Sequence, residues 1–488
     1  MVAVLTNTPW AIILILLPLA GSMTCFLWPQ TARVTGLFSS LIMVLSVTGL
    51  GWQILDGGPN RHTVGGWGAP LGIDLYIDGL SLLMLAATAF VGLGVSVYAA
   101  AYFERADAVR FWPLWLILLA ALNALFLAAD IFNLYVTLEL MGLAAVALAA
   151  LTGGKDALGG AMRYLLATLL GSLCYLLGVA LLYHGFGSVD IATLAERVEP
   201  SPVVWAALGL MAAGLMLKTA LFPLHFWLPP AHASAPAPVS ALLSALVVKA
   251  SFYILLRLWL EIFAPLIGDQ GIETLFGLLG AAAILWGSVQ ALRQTRLKLL
   301  VAYSTVAQVG YLFIAFPLAI SAGITAWNAV VYLVLSHALA KAAMFMAAGN
   351  LLRFGGHDRI DNLDRVVQRL PLTAGAFALA GVSIMGLPPS GGFIGKWLLL
   401  EAALLQGRWD LVAVMVIGGL LAASYIFKVL GYAFTQAEKT HEPKAVPASM
   451  EWAALLLAMG AVLLGFLAVP VLSLLAIGDP FITSGTGS

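Results

Sequence analysis

Residues 215–257 read LMLKTALFPLHFWLPPAHASAPAPVSALLSALVVKASFYILLR, a segment that is mostly apolar yet carries charge and proline. Lys218 and Lys249 each follow a long run of mostly apolar residues. The pair Pro229-Pro230 cannot continue a helix, because proline lacks an amide donor and clashes with the preceding turn. Membranes tolerate freed backbone groups only where protein or water satisfies them, as in the broken helices of transporters. The segment therefore predicts a broken membrane helix beside an internal polar pathway.

The composition of the whole chain predicts a membrane location. Of the 488 residues, 62% are hydrophobic and 9% are charged, and the mean hydropathy is +1.01. A soluble protein averages about 25% charged residues, so this chain has too few charges to cover the surfaces of two or three soluble domains. The predicted fold class is an all-α polytopic membrane protein.

Charge balance and cysteine content exclude two further classes. Lys plus Arg and Asp plus Glu number 23 each, so there is no basic field that would favour nucleic acid. The two cysteines, Cys25 and Cys174, are too few for an iron–sulfur cluster, which takes about four thiolates. We expect no cofactor and no metal in this chain, so any redox chemistry would belong to another subunit.

The sequence predicts about fourteen membrane-spanning helices, since a span needs roughly 20 mostly apolar residues. They lie near residues 9–27, 31–53, 76–99, 112–129, 130–150, 161–185, 203–222, 238–263, 272–291, 299–320, 324–350, 371–405, 409–434 and 450–476. The segment 371–405 is too long for a plain span and contains Pro388-Pro389 followed by Gly391-Gly392. It is predicted to be a second broken helix.

Loop charges predict the orientation, because cytoplasmic loops carry an excess of Lys and Arg. With the N-terminus outside, the outside loops contain three basic residues: Arg61, Arg197 and Arg408. The inside loops then contain fourteen: Arg33, Arg105, Arg110, Lys155, Arg163, Arg293, Arg296, Lys298, Arg353, Arg359, Arg365, Arg369, Lys439 and Lys444. Both termini are predicted on the periplasmic or external side of a bacterial-type inner membrane. A cleaved signal peptide is not expected, since residues 1–10 have no basic residue.

The other six basic residues lie inside predicted spans: Lys218, Lys249, Arg257, Lys341, Lys396 and Lys428. A charge at mid-bilayer costs about 2.5–3.5 kcal/mol, so each requires an explanation. Arg257 and Lys428 lie nearer helix ends, where a long side chain can snorkel to the interface. Lys218 and Lys249 lie deeper, and we interpret them as functional.

Among the acidic residues, Glu139 lies well inside the apolar run of residues 131–151. Its short side chain cannot snorkel, so we expect it to be buried. Asp130 begins the same segment and is interpreted as an interfacial helix cap. Glu401 follows Lys396 by five residues and is considered as its partner.

The preference for lysine over arginine among the deep cations points to proton transfer. Desolvation disfavours the charged form of a buried lysine, and a nearby carboxylate favours that form. Such a lysine can exchange its proton near neutral pH when its partner's charge changes, whereas arginine stays charged. The alternative is a set of static ion pairs that hold the helices together.

Several histidines accompany these lysines. His225 and His232 flank the first proline break, and His337 precedes Lys341 by four residues, on one helix face. No acidic or cysteine residues accompany them at metal-ligand spacing. A histidine that merely makes a hydrogen-bonded helix contact is the alternative, but we favour a role in a proton relay or water wire, which suits its titration range.

Five stretches resemble one protein family, the antiporter-like proton-translocating subunits of Mrp-type cation/proton antiporters, respiratory complex I and membrane-bound hydrogenases. They are FNLYVTLELM (132–141), residues 215–257, KLLVAYSTVAQVGYLF (298–313), SHALAKAAMF (336–345) and GLPPSGGFIGKW (386–397). The resemblance implies fourteen helices with two inverted five-helix repeats, helices 4–8 and 9–13, in which helices 7 and 12 are broken. The corresponding divisions are residues 1–111, 112–263, 272–434 and 450–476. The order of lysine and proline in the two breaks also suggests inverted repeats.

The resemblance also implies a lateral chain of buried charges along the membrane midplane. By position, the chain comprises Glu139 on helix 5, Lys218 on helix 7, Lys249 on helix 8, His337 and Lys341 on helix 11, and Lys396 on helix 12. His225, His232 and Glu401 are secondary candidates.

Chain length and the helix 4–5 segment resemble the D-type component of Mrp antiporters most. The first hypothesis is therefore a transporter subunit, not an enzyme in itself, through which proton influx drives efflux of Na⁺ or another cation. The alternative is the proton-pumping arm of complex I or of a hydrogenase-type complex. A free-standing channel or scaffold is a third class. Either of the first two implies other membrane subunits as partners, with the bilayer around them.

Overall fold

The computed structural model describes residues 8–69, 72–267, 271–437 and 443–478. Within these ranges, 13 helices are long and apolar enough to cross a membrane. In chain order, with the shorter halves of two broken helices included, the helices are α1 (Trp10–Leu27), α2 (Ala32–Gly57), α3 (Gly79–Tyr102), α4 (Arg105–Leu127), α5 (Ile131–Ala149), α6 (Lys155–Phe186), α7a (Pro202–Thr219), α7b (Leu228–Ser234), α8 (Ala237–Ile267), α9 (Ile272–Arg293), α10 (Leu297–Ala319), α11 (Gly323–Gly355), α12a (Pro371–Met385), α12b (Gly391–Leu405), α13 (Trp409–Phe434) and α14 (Ala448–Phe466).

The predicted fold class is confirmed, and so are both broken helices. The first break separates α7a from α7b, and the second separates α12a from α12b. The two halves of α12 have 15 residues each, too few for either to span alone, and together they make the fourteenth predicted span. The inverted relation between residues 112–263 and 272–434 stays a prediction.

The first long polar loop contains a β-hairpin that the sequence pattern did not predict. Strand β1 (Asn60–Thr63) pairs antiparallel with β2 (Asp74–Ile77). Arg61 on β1 forms ion pairs with Asp74, at 2.7 Å, and with Asp190. The hairpin is thereby joined to the loop that follows α6.

Helices α6 and α7a approach closely at two glycines. A Cβ atom on Gly214 would lie 2.3 Å from the carbonyl oxygen of Gly171, and one on Gly171 would lie 3.0 Å from Cγ of Lys218. Small residues at membrane helix interfaces allow such close backbone approach. This contact places the Lys218 side chain against α6.

The interpretation of Arg257 as a snorkelling residue is wrong. Its side chain is buried, with 4% exposed, and its guanidinium donates to both oxygens of Asp78, at 2.5 and 2.9 Å. Glu261, one turn along α8, accepts a further hydrogen bond at 2.9 Å. Arg257 is therefore the centre of a buried ion pair that joins α8 to the start of α3.

Lys428 lies half-buried on α13. Its amino group donates to the carbonyl oxygens of Leu292 and Gln294, at 2.9 and 2.8 Å, at the C-terminal end of α9. A cation is favourable there because the last carbonyls of a helix carry partial negative charge. The structure therefore gives Lys428 a helix-capping contact.

The glycine contact between α6 and α7a can be tested with two valine substitutions on the same helix. Gly214→Val should lower thermal stability, because inserting side chains into packed interiors costs about 1–3 kcal/mol. Gly209→Val is the matched control, since a Cβ atom at Gly209 meets nothing within 4 Å. Unfolding midpoints in detergent measure the difference, and equal midpoints for the two variants would contradict the packing.

Candidate functional site

The Lys218 amino group meets the Glu139 carboxylate between α7a and α5. The distance from Lys218 Nζ to Glu139 Oε1 is 3.5 Å, and the side chains are 4% and 19% exposed. Glu139 is thus less buried than expected. Phe132, Val136 and Leu140 on α5 are also exposed, so part of this helix surface lies open in the isolated chain.

Helix α7a ends directly after this pair. Ala220 adopts a left-handed conformation with φ 58°, which is uncommon outside glycine. The carbonyl freed at Leu217 accepts from Trp227 Nε1 at 2.9 Å, and that of Met216 accepts from the amide of Leu221. The break is therefore satisfied by protein groups next to Lys218, as a membrane requires.

The second break places a lysine at the freed carbonyls themselves. Helix α12a ends at Gly386, which has a φ of 82°. Lys396, from the first half of α12b, donates to the carbonyl oxygens of Ile384 at 2.7 Å and Met385 at 3.4 Å. Its amino group also lies 4.3 Å from the ring centroid of Tyr311 on α10, a cation–π contact. As predicted from the sequence, Lys218 precedes its break and Lys396 follows its own.

The pairing of Lys396 with Glu401 is wrong. Glu401 is exposed, and the hydrogen bonds of Lys396 go to backbone carbonyls instead. Five residues along a helix correspond to a rotation of about 140° at roughly 3.6 residues per turn, so the two side chains leave opposite sides of α12b.

Lys249 is buried on α8, with 1% of its surface exposed. Its amino group donates to the carbonyl oxygen of Ser244 within a π-helical turn, Leu243–Val247. Such turns inside α-helices are frequent at functional sites. The Ser244 hydroxyl is 2.8 Å from that of Thr305, which links this turn to α10.

Lys341 is fully buried on α11 and also contacts α10. Its amino group donates to the carbonyl oxygen of Val301, at 3.1 Å, and to the hydroxyl of Ser304. His337, one turn earlier, is 4% exposed, and neither ring nitrogen has a hydrogen-bond partner in the described chain. The sequence correctly placed His337 and Lys341 on one face.

The two histidines at the first break differ in burial. His232 is fully buried and stacks on Phe345 with 4.7 Å between ring centroids, and neither of its nitrogens has a hydrogen-bond partner among the described residues. His225 is partly buried and stacks on Phe222. Buried polar groups are normally hydrogen-bonded, so His232 and His337 do not fit the alternative of hydrogen-bonded helix contacts.

Helix α10 connects these positions, a role that the sequence reasoning missed. Val301, Ser304, Thr305, Gln308 and Tyr311 follow one another at spacings typical of one helix face. They contact, in order, Lys341, the Ser244 turn that binds Lys249, and the Lys396 site, since Gln308 donates to Ile384 O at 3.3 Å. The run of polar residues within an apolar helix was the signal available in the sequence.

The chain matches the family described as NADH:quinone oxidoreductase/Mrp antiporter, transmembrane, over residues 128–422. The matched region contains every lysine and histidine of the two breaks and of the α8, α11 and α12b sites. The chain belongs to this family. It is accordingly an antiporter-like proton-translocating subunit of the kind found in Mrp, complex I or related complexes, and its partners are other membrane subunits.

Three similar proteins illustrate the range of the family. The N-type component of NADH-quinone oxidoreductase from Desulforudis audaxviator is 38% identical over 452 residues, covering 88% of this chain and 89% of the relative. The D-type component of the Na(+)/H(+) antiporter from Alkalihalophilus pseudofirmus is 30% identical, covering 85% and 84%. A chain in the structure of the Mrp complex from Dietzia sp. superimposes with a TM-score of 0.86 at 25% identity, covering 98% of both chains.

The contacts of Lys341 and Lys428 predict different effects on transport. Lys341→Ala should reduce proton flux strongly, because Lys341 is buried beside His337 and α10. Lys428→Ala should retain flux, because its amino group contacts only the end of α9 in the described chain. Flux in everted vesicles, normalised to assembled protein, measures both, and comparable losses would contradict the distinction.

Proposed function

We propose that this chain moves protons through Glu139, Lys218, Lys249, His337, Lys341 and Lys396, as the D-type component of an Mrp-type cation/proton antiporter. One observation carries the proposal. In the described part of the chain, the amino groups of Lys249, Lys341 and Lys396 donate hydrogen bonds only to neutral oxygens, and none of the three forms an ion pair. Static ion pairs therefore do not account for them.

A buried ammonium without a counter-ion is costly, and a lysine can relieve that cost by releasing its proton. Lys341 lies within electrostatic range of both Lys249 and Lys396, so their positive charges repel one another. A proton held on one lysine disfavours a proton on its neighbour. This repulsion gives a physical reason for protons to move along the row in sequence.

Glu139 begins the chain of groups, because it is the acidic member that contacts a relay lysine. It lies on the α5 surface that is open in the isolated chain, where a neighbouring subunit would pack. A change of charge on Glu139 alters the stability of the Lys218 ammonium. We propose that Glu139 couples this chain to events in its partner.

The Mrp assignment is supported by the match to the D-type antiporter component and by the near-complete superposition on the Mrp complex. In this assignment the complex exchanges protons for Na⁺ or another monovalent cation. A second candidate, the proton-pumping arm of a redox complex, is favoured by the 38% identity to the N-type component of NADH-quinone oxidoreductase.

Purification of the native complex separates the two candidates. We expect a tagged copy of this chain to copurify with small membrane subunits alone. Copurification with flavin-, cluster- or quinone-binding subunits would instead assign the chain to a redox complex. The same proton pathway would then be driven by electron transfer.

The Glu139–Lys218 pair provides the main test of the relay. Glu139→Gln and Lys218→Ala should each abolish proton exchange, and the double variant should be no worse than either, because the two residues act as one unit. Glu139→Asp should keep partial activity, since it keeps the charge. The measurement is fluorescence-monitored flux in everted vesicles with the assembled complex quantified.

Wild-type flux in assembled Glu139→Gln would show that Glu139 is a structural residue. Additive losses in the double variant would show that the two side chains act independently. Either result would contradict the relay at its first step.

A further inference from the structure

Lys298 was expected in a loop from the charge pattern, and the structure corrects this. It is the second residue of α10 and is 2% exposed. Its amino group donates to the carbonyl oxygen of Ala235 and, at 3.5 Å, to that of Ala233. These carbonyls lie at the C-terminal end of α7b. Lys298 is therefore a further buried lysine, close to the first break.

Charged groups on the loop side of Lys298 connect it to the surface. Asp358, in the loop after α11, and Arg296 both lie within electrostatic range of its amino group. Arg296 is 48% exposed and donates to Asp358 Oδ1 at 2.9 Å. The other carboxylate oxygen of Asp358, Oδ2, is buried and has no hydrogen-bond partner among the described residues. An acceptor that is free to bind a proton thus lies between the surface and Lys298.

The interior neighbour of Lys298 is His232. The fully buried imidazole lies within electrostatic range of Lys298, Lys341 and Lys249, and both its nitrogens lack protein partners in the described chain. Along α10, Val301 and Ser304, which bind Lys341, lie one and two turns beyond Lys298, a rise of about 9 Å to Ser304 at roughly 1.5 Å per residue. His232 therefore stands between Lys298 and the lysines of the relay.

We propose that Asp358, Lys298 and His232 form the inside mouth of the proton pathway. This inference rests on the proposed function and adds the route by which the relay reaches one membrane surface. The Lys298 ammonium gives one proton to a ring nitrogen of His232 and becomes a neutral amine. That amine takes a proton from the Asp358 carboxyl group, which is reprotonated by water at the surface. The reverse sequence releases a proton to the same side.

A merely structural role for Lys298, as a cap on the α7b carbonyls, makes different predictions. Arginine would still donate to the carbonyls of Ala233 and Ala235, but it cannot release a proton at physiological pH. Lys298→Arg should therefore assemble, yet lose flux by about tenfold or more, the scale of a lost proton-transfer group. Lys298→His should keep part of the flux with an optimum displaced to lower pH, because imidazole titrates at lower pH than an amine.

Lys428 is the matched control, because it also donates to two carbonyls at a helix end. Lys428→Arg should retain wild-type flux. Asp358→Asn should reduce flux, whereas Asp361→Asn, three residues away in an exposed ion pair with Arg359, should not. Lys218→Ala serves as the reference for the relay itself. All variants are assayed in everted vesicles of the assembled complex, over a pH series.

Each outcome separates the mouth from the relay. Wild-type flux in Lys298→Arg, with flux lost in Lys218→Ala, would overturn the inside mouth and leave the proposed function standing. Wild-type flux in Lys218→Ala would overturn the proposed function instead. If Lys298→Arg fails to assemble, Lys298→His decides: a displaced pH profile supports the mouth, and an unchanged profile overturns it.

Discussion

The structure depends on one electrostatic constraint: lysine ammonium groups lie inside an apolar helix bundle with too few carboxylates to neutralise them. Lys249 and Lys341 are buried, and their hydrogen bonds go to hydroxyl and carbonyl oxygens alone in the described chain. Neutral oxygens stabilise an ammonium less than a carboxylate does. The repulsion between neighbouring lysines adds to the cost, so the fully protonated row is unfavourable and protons can be exchanged.

The fold meets this constraint with backbone groups that broken helices expose. The carbonyls at the end of α12a bind Lys396, and those at the end of α7b bind Lys298. At the end of α7a, by contrast, Trp227 satisfies the freed carbonyl and Lys218 is left to pair with Glu139. One helix, α10, contacts the sites of Lys341, Lys249 and Lys396, which makes it the common structural support of the pathway.

The sequence predicted the features whose signals are local. The two breaks follow from proline pairs, and the deep lysines follow from charge within apolar runs. Lys298 and Arg257 could not be placed, because their burial depends on partners far away in sequence, such as Asp78, which lies 179 residues before Arg257. The hairpin was missed because strands β1 and β2 are only four residues long and lie in a polar loop. Glu401 was misassigned because proximity in sequence was taken for proximity on a helix face.

Proton exchange at Lys218 is tested most directly by observing its amino group. Solid-state ¹⁵N NMR of protein labelled at lysine Nζ, reconstituted in lipid bilayers at neutral pH, distinguishes an ammonium from a neutral amine, and Lys218→Ala identifies the resonance of Lys218. We expect this resonance to be that of an ammonium in the wild type and of a neutral amine in Glu139→Gln, because the carboxylate that stabilises the charge is gone. An ammonium resonance at Lys218 in both proteins would contradict a lysine switched by its neighbour's charge.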